Sequence, residues 1–134
     1  MPTFVRMSRT VLVVDDDLDL RAALGEVLSE AGYHPVLAKT AEHALELLET
    51  VSRPCLVLLD HMMPGAGADG FLSAIENRPD ASSFTVVLMT GMPRAALRSD
   101  ARLAGQLSKP FEMDDLLALL ESHCGDGRPS SAAS

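Results

Sequence analysis

Several features that would direct this chain to a membrane, a secretory route or a nucleic acid are missing from its sequence. No stretch approaches the roughly 20 apolar residues needed to span a bilayer, and the first seven residues lack the apolar segment of a signal peptide. Lys and Arg total 11 against 19 Asp and Glu, so the formal net charge is -8 and a basic stripe for DNA is missing as well. We therefore expect a cytoplasmic protein that neither inserts into a membrane nor binds nucleic acid directly.

Cysteine is also scarce, and its placement excludes the common cysteine-based sites. The chain has two cysteines, Cys55 and Cys124, which are far apart and lack metal-type spacing. We expect free thiols rather than a disulfide in a reducing compartment. A length of 134 residues, with 47% apolar residues, suits one globular domain.

Short apolar runs alternate with segments of helical period along the chain. Continuous apolar runs predict strands buried on both faces of a parallel sheet, and weaker runs near residues 33–38 and 106–108 complete five strands. Helical spacing predicts helices from Asp17 to a stop at Gly32, after an N-cap at Thr40, over about 70–77, near 94–103 and through Leu120. The strongly apolar strands are predicted at 10–14, 55–59 and 85–89.

Five such units predict an α/β fold, with a doubly wound parallel sheet and helices on both faces. We expect residues 1–9 to be an N-terminal extension, residues 10–124 to form the domain, and residues 125–134 to be a disordered tail. The tail is rich in Gly, Pro, Ser and Ala, which offer little to bury.

Polar residues follow four of the predicted strands directly. In an open α/β sheet the site lies beyond the carboxyl ends of the strands, so these residues should meet at one rim. A crowd of carboxylates costs free energy unless a cation neutralises it, and ligands that are all oxygen suit Mg²⁺. The residues are Asp15, Asp16 and Asp17 after the first strand, Asp60 after the third, Thr90 after the fourth and Lys109 after the fifth.

This set predicts phosphoryl chemistry. Asp60 is already ionised at neutral pH and needs no general base to attack a phosphoryl group as a nucleophile. Lys109 can pair with a phosphate oxygen, and the Thr90 hydroxyl can donate a hydrogen bond to another. Asp17 is a candidate cap for the following helix, while Asp15 and Asp16 remain candidate metal ligands.

Four segments resemble the successive signatures of response-regulator receiver domains of two-component signalling, and the resemblance runs from about Thr10 to His123. It implies the flavodoxin-like strand order 2-1-3-4-5 and a cis Lys109–Pro110 peptide bond. The segments are residues 13–17 (VVDDD), 58–64 (LLDHMMP), 88–91 (LMTG) and 108–111 (SKPF).

The resemblance also implies roles for individual residues. It implies a phosphoacceptor at Asp60, Mg²⁺ bound by Asp15, Asp16, Asp60 and the Met62 backbone carbonyl, and supporting roles for Thr90 and Lys109. The phosphoryl donor would be a sensor histidine kinase or a phosphotransfer protein, and output would pass through an unknown downstream protein unless the chain is a relay, a sink or part of a longer protein. Such domains are signalling phosphoacceptors that assist their own phosphorylation and dephosphorylation, and are not enzymes in the usual sense.

The sequence departs from the family pattern in three places. The loop between Pro64 and Gly70 is slightly longer than usual, and the stretch from Thr90 to Lys109 is shorter, which predicts a reduced or irregular fourth helix. Gln106 occupies the usual position of an aromatic ring. We therefore expect phosphorylation to act by reordering residues 92–105 or 65–69, without aromatic switching.

Two alternatives stay open at this point. A pseudo-receiver would keep the fold as an interaction module without phosphorylation. A phosphatase of the haloacid-dehalogenase type would use Asp15 as its nucleophile, although Asp19 stands where that class has Thr or Val. The four histidines, His34, His43, His61 and His123, have no metal spacing and predict surface or satisfied core roles.

Overall fold

A computed structural model describes residues 9–62, 67–91 and 102–124. Strands and helices alternate through most of this part of the chain, and a 3-10 turn, Ala81–Ser83, precedes the fourth strand. The strands are β1 (Thr10–Val14), β2 (His34–Ala38), β3 (Cys55–Asp60), β4 (Phe84–Thr90) and β5 (Gly105–Ser108), and the helices are α1 (Leu18–Glu30), α2 (Ala41–Leu47), α3 (Gly67–Glu76) and α4 (Met113–Cys124).

The five strands form one parallel sheet in the order β2-β1-β3-β4-β5, which confirms the expected fold and strand order. β1 and β3 lie at its centre and are buried along their whole length. The edge strand β2 is partly exposed, and its apolar run is correspondingly weaker. Burial on both faces therefore explains why the central strands have continuous apolar runs.

Each face of the sheet carries its own apolar core because side chains alternate along every strand. On one face α2 and α3 cover Leu12, Val57 and Val86, and Phe71 of α3 is the largest fully buried side chain there. On the other face α1 and α4 cover Val13, Leu58, Val87 and Met89. The helix residues that reach this second core are Leu24, Leu28, Leu116 and Leu120.

The helix ends follow the signals in the sequence. The Asp17 carboxylate accepts hydrogen bonds from the backbone N–H groups of Asp19 and Leu20, and the Thr40 hydroxyl accepts one from His43. Gly32 follows α1 with a φ of 92°, a left-handed conformation that costs glycine little. Both predicted caps and the predicted stop are thus confirmed.

The third helix begins earlier than predicted. We expected a loop to Asp69 and a helix from Gly70, but α3 begins at Gly67. Gly67 and Ala68 are buried, and Ala68 belongs to the core that α2 and α3 cover. Tertiary packing therefore outweighs the helix-breaking composition of this stretch. The predicted helix at 94–103 falls mainly outside the described residues, and Leu103 is not helical.

Other expectations have mixed outcomes. The Lys109–Pro110 peptide bond is cis, as expected, and Arg53–Pro54 is cis as well. Cys55 is buried and forms no disulfide, whereas the side chain of Cys124 lies outside what the structure describes. The extension and the tail are almost wholly outside it too. No helix in the described part of the chain is long and apolar enough to cross a membrane.

Candidate functional site at the carboxyl end of the sheet

The polar residues predicted to meet at one rim do so. Asp15 follows the last residue of β1, Asp60 and Thr90 are the last residues of β3 and β4, and Lys109 follows β5. Parallel pairing places Asp60 beside Met89 and Thr90 beside Ser108, so these strand ends are level with one another. The register of the sheet therefore brings residues up to 94 positions apart into one site.

Three carboxylates form the centre of this site. Oxygen atoms of Asp15, Asp16 and Asp60 all lie within 4.8 Å of one another. Asp15 is fully buried and Asp60 is 4% exposed, whereas Asp16 is exposed. This arrangement combines two carboxylates fixed by the sheet with a third that faces solvent.

Lys109 supplies the positive charge of the site. Its Nζ lies 3.1 Å from Asp60 Oδ1 and 3.4 Å from Asp15 Oδ2, which are both within ion-pair distance. Burial by itself lowers the pKa of the Lys109 ammonium. The hydrogen bond to Asp60 and the charges of Asp15 and Asp60 outweigh this effect, so the pKa is raised above its ordinary value. Lys109 therefore stays charged at neutral pH and partly offsets two of the carboxylates.

The single ammonium of Lys109 does not fully compensate the negative charge of the buried Asp15 carboxylate. Burial raises the pKa of the Asp15 carboxyl, and the nearby negative charge of Asp60 acts in the same direction. A hydrogen bond from the Asp17 backbone N–H to Asp15 Oδ1, at 2.9 Å, and the charge of Lys109 only partly oppose this rise. The fold thus holds a carboxyl group whose ionised form would be stabilised by a further cation.

The donor set fits a hard divalent cation. The clustered side-chain ligands offer only carboxylate oxygens, the ligands that Mg²⁺ and Ca²⁺ take in proteins. Zn²⁺ would be expected with His or Cys ligands, and the cluster contains neither. Among the residues that the structure describes, Asp15, Asp16 and Asp60 are therefore the ones that could hold a metal ion.

The Asp60 carboxylate is held by one of its two oxygens. Oδ1 accepts a hydrogen bond from the Met62 backbone N–H at 3.2 Å and another from Lys109. These two donors hold the same carboxylate oxygen at the end of β3. Such a carboxylate is positioned to attack an electrophile with its second oxygen.

A histidine that the sequence did not single out also lies in this site. Nδ1 of His61 is 3.1 Å from Oγ1 of Thr90, within hydrogen-bond distance. We expected a surface or satisfied core role for all four histidines; His61 is half-buried and hydrogen-bonded, and only its place beside the site was not anticipated. Its position directly after Asp60, just beyond the strand that pairs with the strand of Thr90, was the signal available in the sequence.

The side chains of three other residues singled out in the sequence lie outside the acidic cluster. The Met62 side chain is 69% exposed, and its backbone lies beside the acidic cluster through the bond to Asp60. Gln106 lies on β5 opposite Leu88 and is half-buried, so its amide is not enclosed in the core. Asp17 caps α1 and is absent from the cluster of candidate metal ligands.

Comparison with known proteins identifies a family. A family model for the response regulator receiver domain matches residues 11–121. The chain is 33% identical over 124 residues to transcriptional regulatory protein FixJ of Bradyrhizobium diazoefficiens, a match that covers 90% of this chain and 59% of FixJ. It is 31% identical over 113 residues to sporulation initiation phosphotransferase F of Bacillus subtilis, covering 82% of this chain and 89% of that protein.

Solved structures give the same result. A CheY-like response regulator receiver domain protein from Methanospirillum hungatei superposes with a TM-score of 0.73 at 30% identity, covering 90% of this chain and 98% of that one. Response regulator TrrA of Thermotoga maritima, solved in complex with Mg²⁺-BeF, superposes with a TM-score of 0.72 at 29% identity, covering 84% and 96%. The chain spans about 59% of the length of FixJ, so the activity of that whole protein does not transfer with the match.

Proposed function

The chain belongs to the response regulator receiver domain family, and from this premise we propose that it accepts a phosphoryl group on Asp60 in a His-Asp phosphorelay. Members of this family are signalling phosphoacceptors, and the acidic pocket of this chain fits such a site. The assignment of the pocket's individual residues is our proposal, as are the metal and the partners.

One observation carries the proposal. Oxygen atoms of Asp15, Asp16 and Asp60 lie within 4.8 Å of one another, and the Lys109 ammonium lies 3.1 Å from Asp60. Four residues from three strand ends thus combine a nucleophile, candidate metal ligands and a cation in one place. An ion pair that served only stability would not require two further carboxylates beside it.

The proposed reaction is a phosphoryl transfer between two side chains. An oxygen of the Asp60 carboxylate forms a bond to phosphorus while the bond from phosphorus to the donor's histidine nitrogen breaks, and the electron pair of that bond stays on the imidazole. Lys109 would shift from the carboxylates toward a phosphoryl oxygen, and the Thr90 hydroxyl would donate a hydrogen bond to another. The product is an aspartyl phosphate, which water later hydrolyses.

Mg²⁺ is the cation that we propose for this site, held by Asp15, Asp16, Asp60 and the Met62 backbone carbonyl. When bound, it would neutralise charge on the carboxylates and the phosphoryl oxygens. The similar receiver TrrA was solved with Mg²⁺-BeF, which supports the choice of metal. Asp15 and Asp60 would offer buried carboxylates to the ion, and Asp16 would offer an exposed one.

The partners follow from the chemistry. The phosphoryl donor would be a phosphohistidine of a sensor kinase or a phosphotransfer protein, and the signal would pass to a downstream protein through the phosphorylated surface. In this proposal the chain works in the cytoplasm, where ATP supplies such kinases. It assists its own phosphorylation and dephosphorylation and does not turn over a separate substrate.

Intact mass after incubation with a small phosphodonor tests the proposal directly. With acetyl phosphate and Mg²⁺, the wild type should gain the mass of one phosphoryl group, and EDTA should prevent the gain. Asp60→Asn should abolish it. Asp19→Asn is the matched control, because Asp19 is an exposed aspartate in the first turn of α1 and lies outside the acidic cluster.

Other outcomes would favour the alternatives. Phosphate trapped on Asp15 would favour a phosphatase of the haloacid-dehalogenase type. A wild type that gains no mass and binds no beryllofluoride in the presence of Mg²⁺ would favour a pseudo-receiver. Labelling that persists in Asp60→Asn would exclude Asp60 as the phosphoacceptor.

A further inference from the structure

The hydroxyl proposed to contact the phosphoryl group already has a partner. Thr90 ends β4 with 1% of its surface exposed, and its Oγ1 lies 3.1 Å from Nδ1 of His61. His61 directly follows Asp60 and belongs to the segment that leaves β3, the neighbour of β4 in the sheet. The residue after the proposed phosphoacceptor thus contacts, through its imidazole, the residue that should contact the phosphate.

Two hydrogen bonds from backbone N–H groups hold the turn that carries His61. The His61 N–H donates to the Met89 carbonyl at 2.8 Å, which continues the pairing of β3 with β4. The next N–H, that of Met62, donates to Asp60 Oδ1 at 3.2 Å. Both bonds hold this turn close to the site, so the contact between His61 and Thr90 is set by the sheet as well as by the two side chains.

The hydrogen bond to His61 restricts what the hydroxyl can do. A threonine hydroxyl has a single proton to donate. When Nδ1 of a neutral imidazole accepts that proton, the hydroxyl cannot donate it to a phosphoryl oxygen as well. A hydroxyl that turns toward the phosphoryl group would therefore have to leave His61.

We propose that the His61 ring carries its proton on Nε2, so that Nδ1 accepts the proton of the Thr90 hydroxyl, and that His61 is a positioning residue that competes with the phosphoryl group for this hydroxyl. The inference rests on the proposed phosphorylation of Asp60 and adds a control on it. His61 stabilises the unphosphorylated arrangement, and binding of the phosphoryl group exchanges the bond to His61 for a bond to phosphate. Removal of the imidazole nitrogen should consequently make the phosphorylated arrangement easier to reach.

Binding of beryllofluoride in Mg²⁺ at one fixed neutral pH measures this exchange. His61→Phe keeps a ring and removes the nitrogen, so the Kd for beryllofluoride should fall by roughly 3- to 10-fold, the range expected for one modest hydrogen bond. His61→Asn is the matched control, because its amide can offer an acceptor near the position of Nδ1. We expect a Kd close to that of the wild type for His61→Asn.

A double-mutant cycle separates the hydrogen bond from the bulk of the ring. Thr90→Val removes the hydroxyl and keeps the branched shape, so His61→Phe should change the Kd little in that background. An unchanged effect of His61→Phe in Thr90→Val would mean that the ring acts sterically, and the inference would be wrong.

Nitrogen NMR of the His61 ring in the wild type provides a measurement that needs no variant. The Nδ1 resonance should shift when beryllofluoride binds, because the hydrogen bond between Nδ1 and the Thr90 hydroxyl is lost, and His43 on α2 serves as an internal reference. A stationary Nδ1 resonance would overturn the inference, as would an equal or higher Kd for His61→Phe. Failure of the wild type to bind beryllofluoride would instead overturn the proposed function, and the inference with it.

Discussion

The two ends of the sheet use charged side chains in opposite ways. At the carboxyl end, three carboxylates lie together with Lys109 paired to two of them. At the amino end, near the starts of β3 and β4, acidic and basic side chains pair closely. This ion-pair network consists of Arg53, Arg78, Asp80 and Glu49.

Every charged group of the ion-pair network lies within ion-pair distance of an opposite charge in the same network. Arg78 lies 2.8 Å from both Asp80 and Glu49, and Arg53 lies 3.0 Å from Asp80. The hydrogen bond from Arg78 lowers the pKa of the Asp80 carboxyl, while Asp80 and Glu49 raise the pKa of Arg78. Both guanidinium groups also lie over the Phe84 ring, at 5.3 and 5.6 Å from its centroid.

The comparison separates a charge cluster that stabilises the fold from the cluster that we propose to be functional. In the ion-pair network the fold favours the ionised form of Asp80, whereas in the acidic cluster it disfavours the ionised form of Asp15. An acidic residue whose negative charge is only partly compensated by the fold is a candidate ligand for a cation from outside the chain. The opposite signs of these two pKa shifts can be tested by experiment.

The largest expected difference between the two ends is the response to Mg²⁺. A ligand that binds only the folded state stabilises it by about 2.7 kcal/mol at about 100 times its Kd. We expect Mg²⁺ to raise the melting temperature of the wild type and of Asp80→Asn, and to have little effect on Asp60→Asn. Thermal unfolding in Mg²⁺ and in EDTA measures this, and an equal response of Asp60→Asn would place the metal elsewhere.

A second difference concerns Asp15 in the absence of metal. Its folded pKa is raised, so the fold favours the protonated carboxyl, and stability falls as the pH rises from below the unfolded pKa through the folded pKa. Asp15→Asn cannot ionise and should therefore be more stable than the wild type at neutral pH. Urea unfolding in EDTA checks this, and the advantage should vanish in acid. If Asp15→Asn were less stable than the wild type at neutral pH, the upward direction of the Asp15 pKa shift would be contradicted.

The smallest expected effect is at Asp80, and it has the opposite sign. Its folded pKa is lowered, so its contribution is present above the unfolded pKa and is lost as the pH falls through the folded pKa. Asp80→Asn should lower the melting temperature slightly at neutral pH, because exposed ion pairs contribute little. The deficit should shrink in acid and in high salt. A deficit that is independent of pH would indicate lost packing rather than lost charge.

Much of the fold was predictable because the central strands are buried on both faces. Their continuous apolar runs predicted β1 to the residue and β3 and β4 to within one residue at each end. The start of α3 was not predictable in this way. Gly67 and Ala68 have the composition of a loop, and only their burial against the core makes them helical.

The sequence by itself determined which residues are the candidates for the proposed chemistry, because each one follows or ends an apolar strand that the pattern identifies. Asp15, Asp60, Thr90 and Lys109 were all found in this way. The tertiary structure decided how these residues pair. The contacts of Lys109 with Asp15 and Asp60, and of His61 with Thr90, span 94, 49 and 29 positions. No local pattern encodes such contacts, because they depend on the strand order and register that bring distant strand ends together.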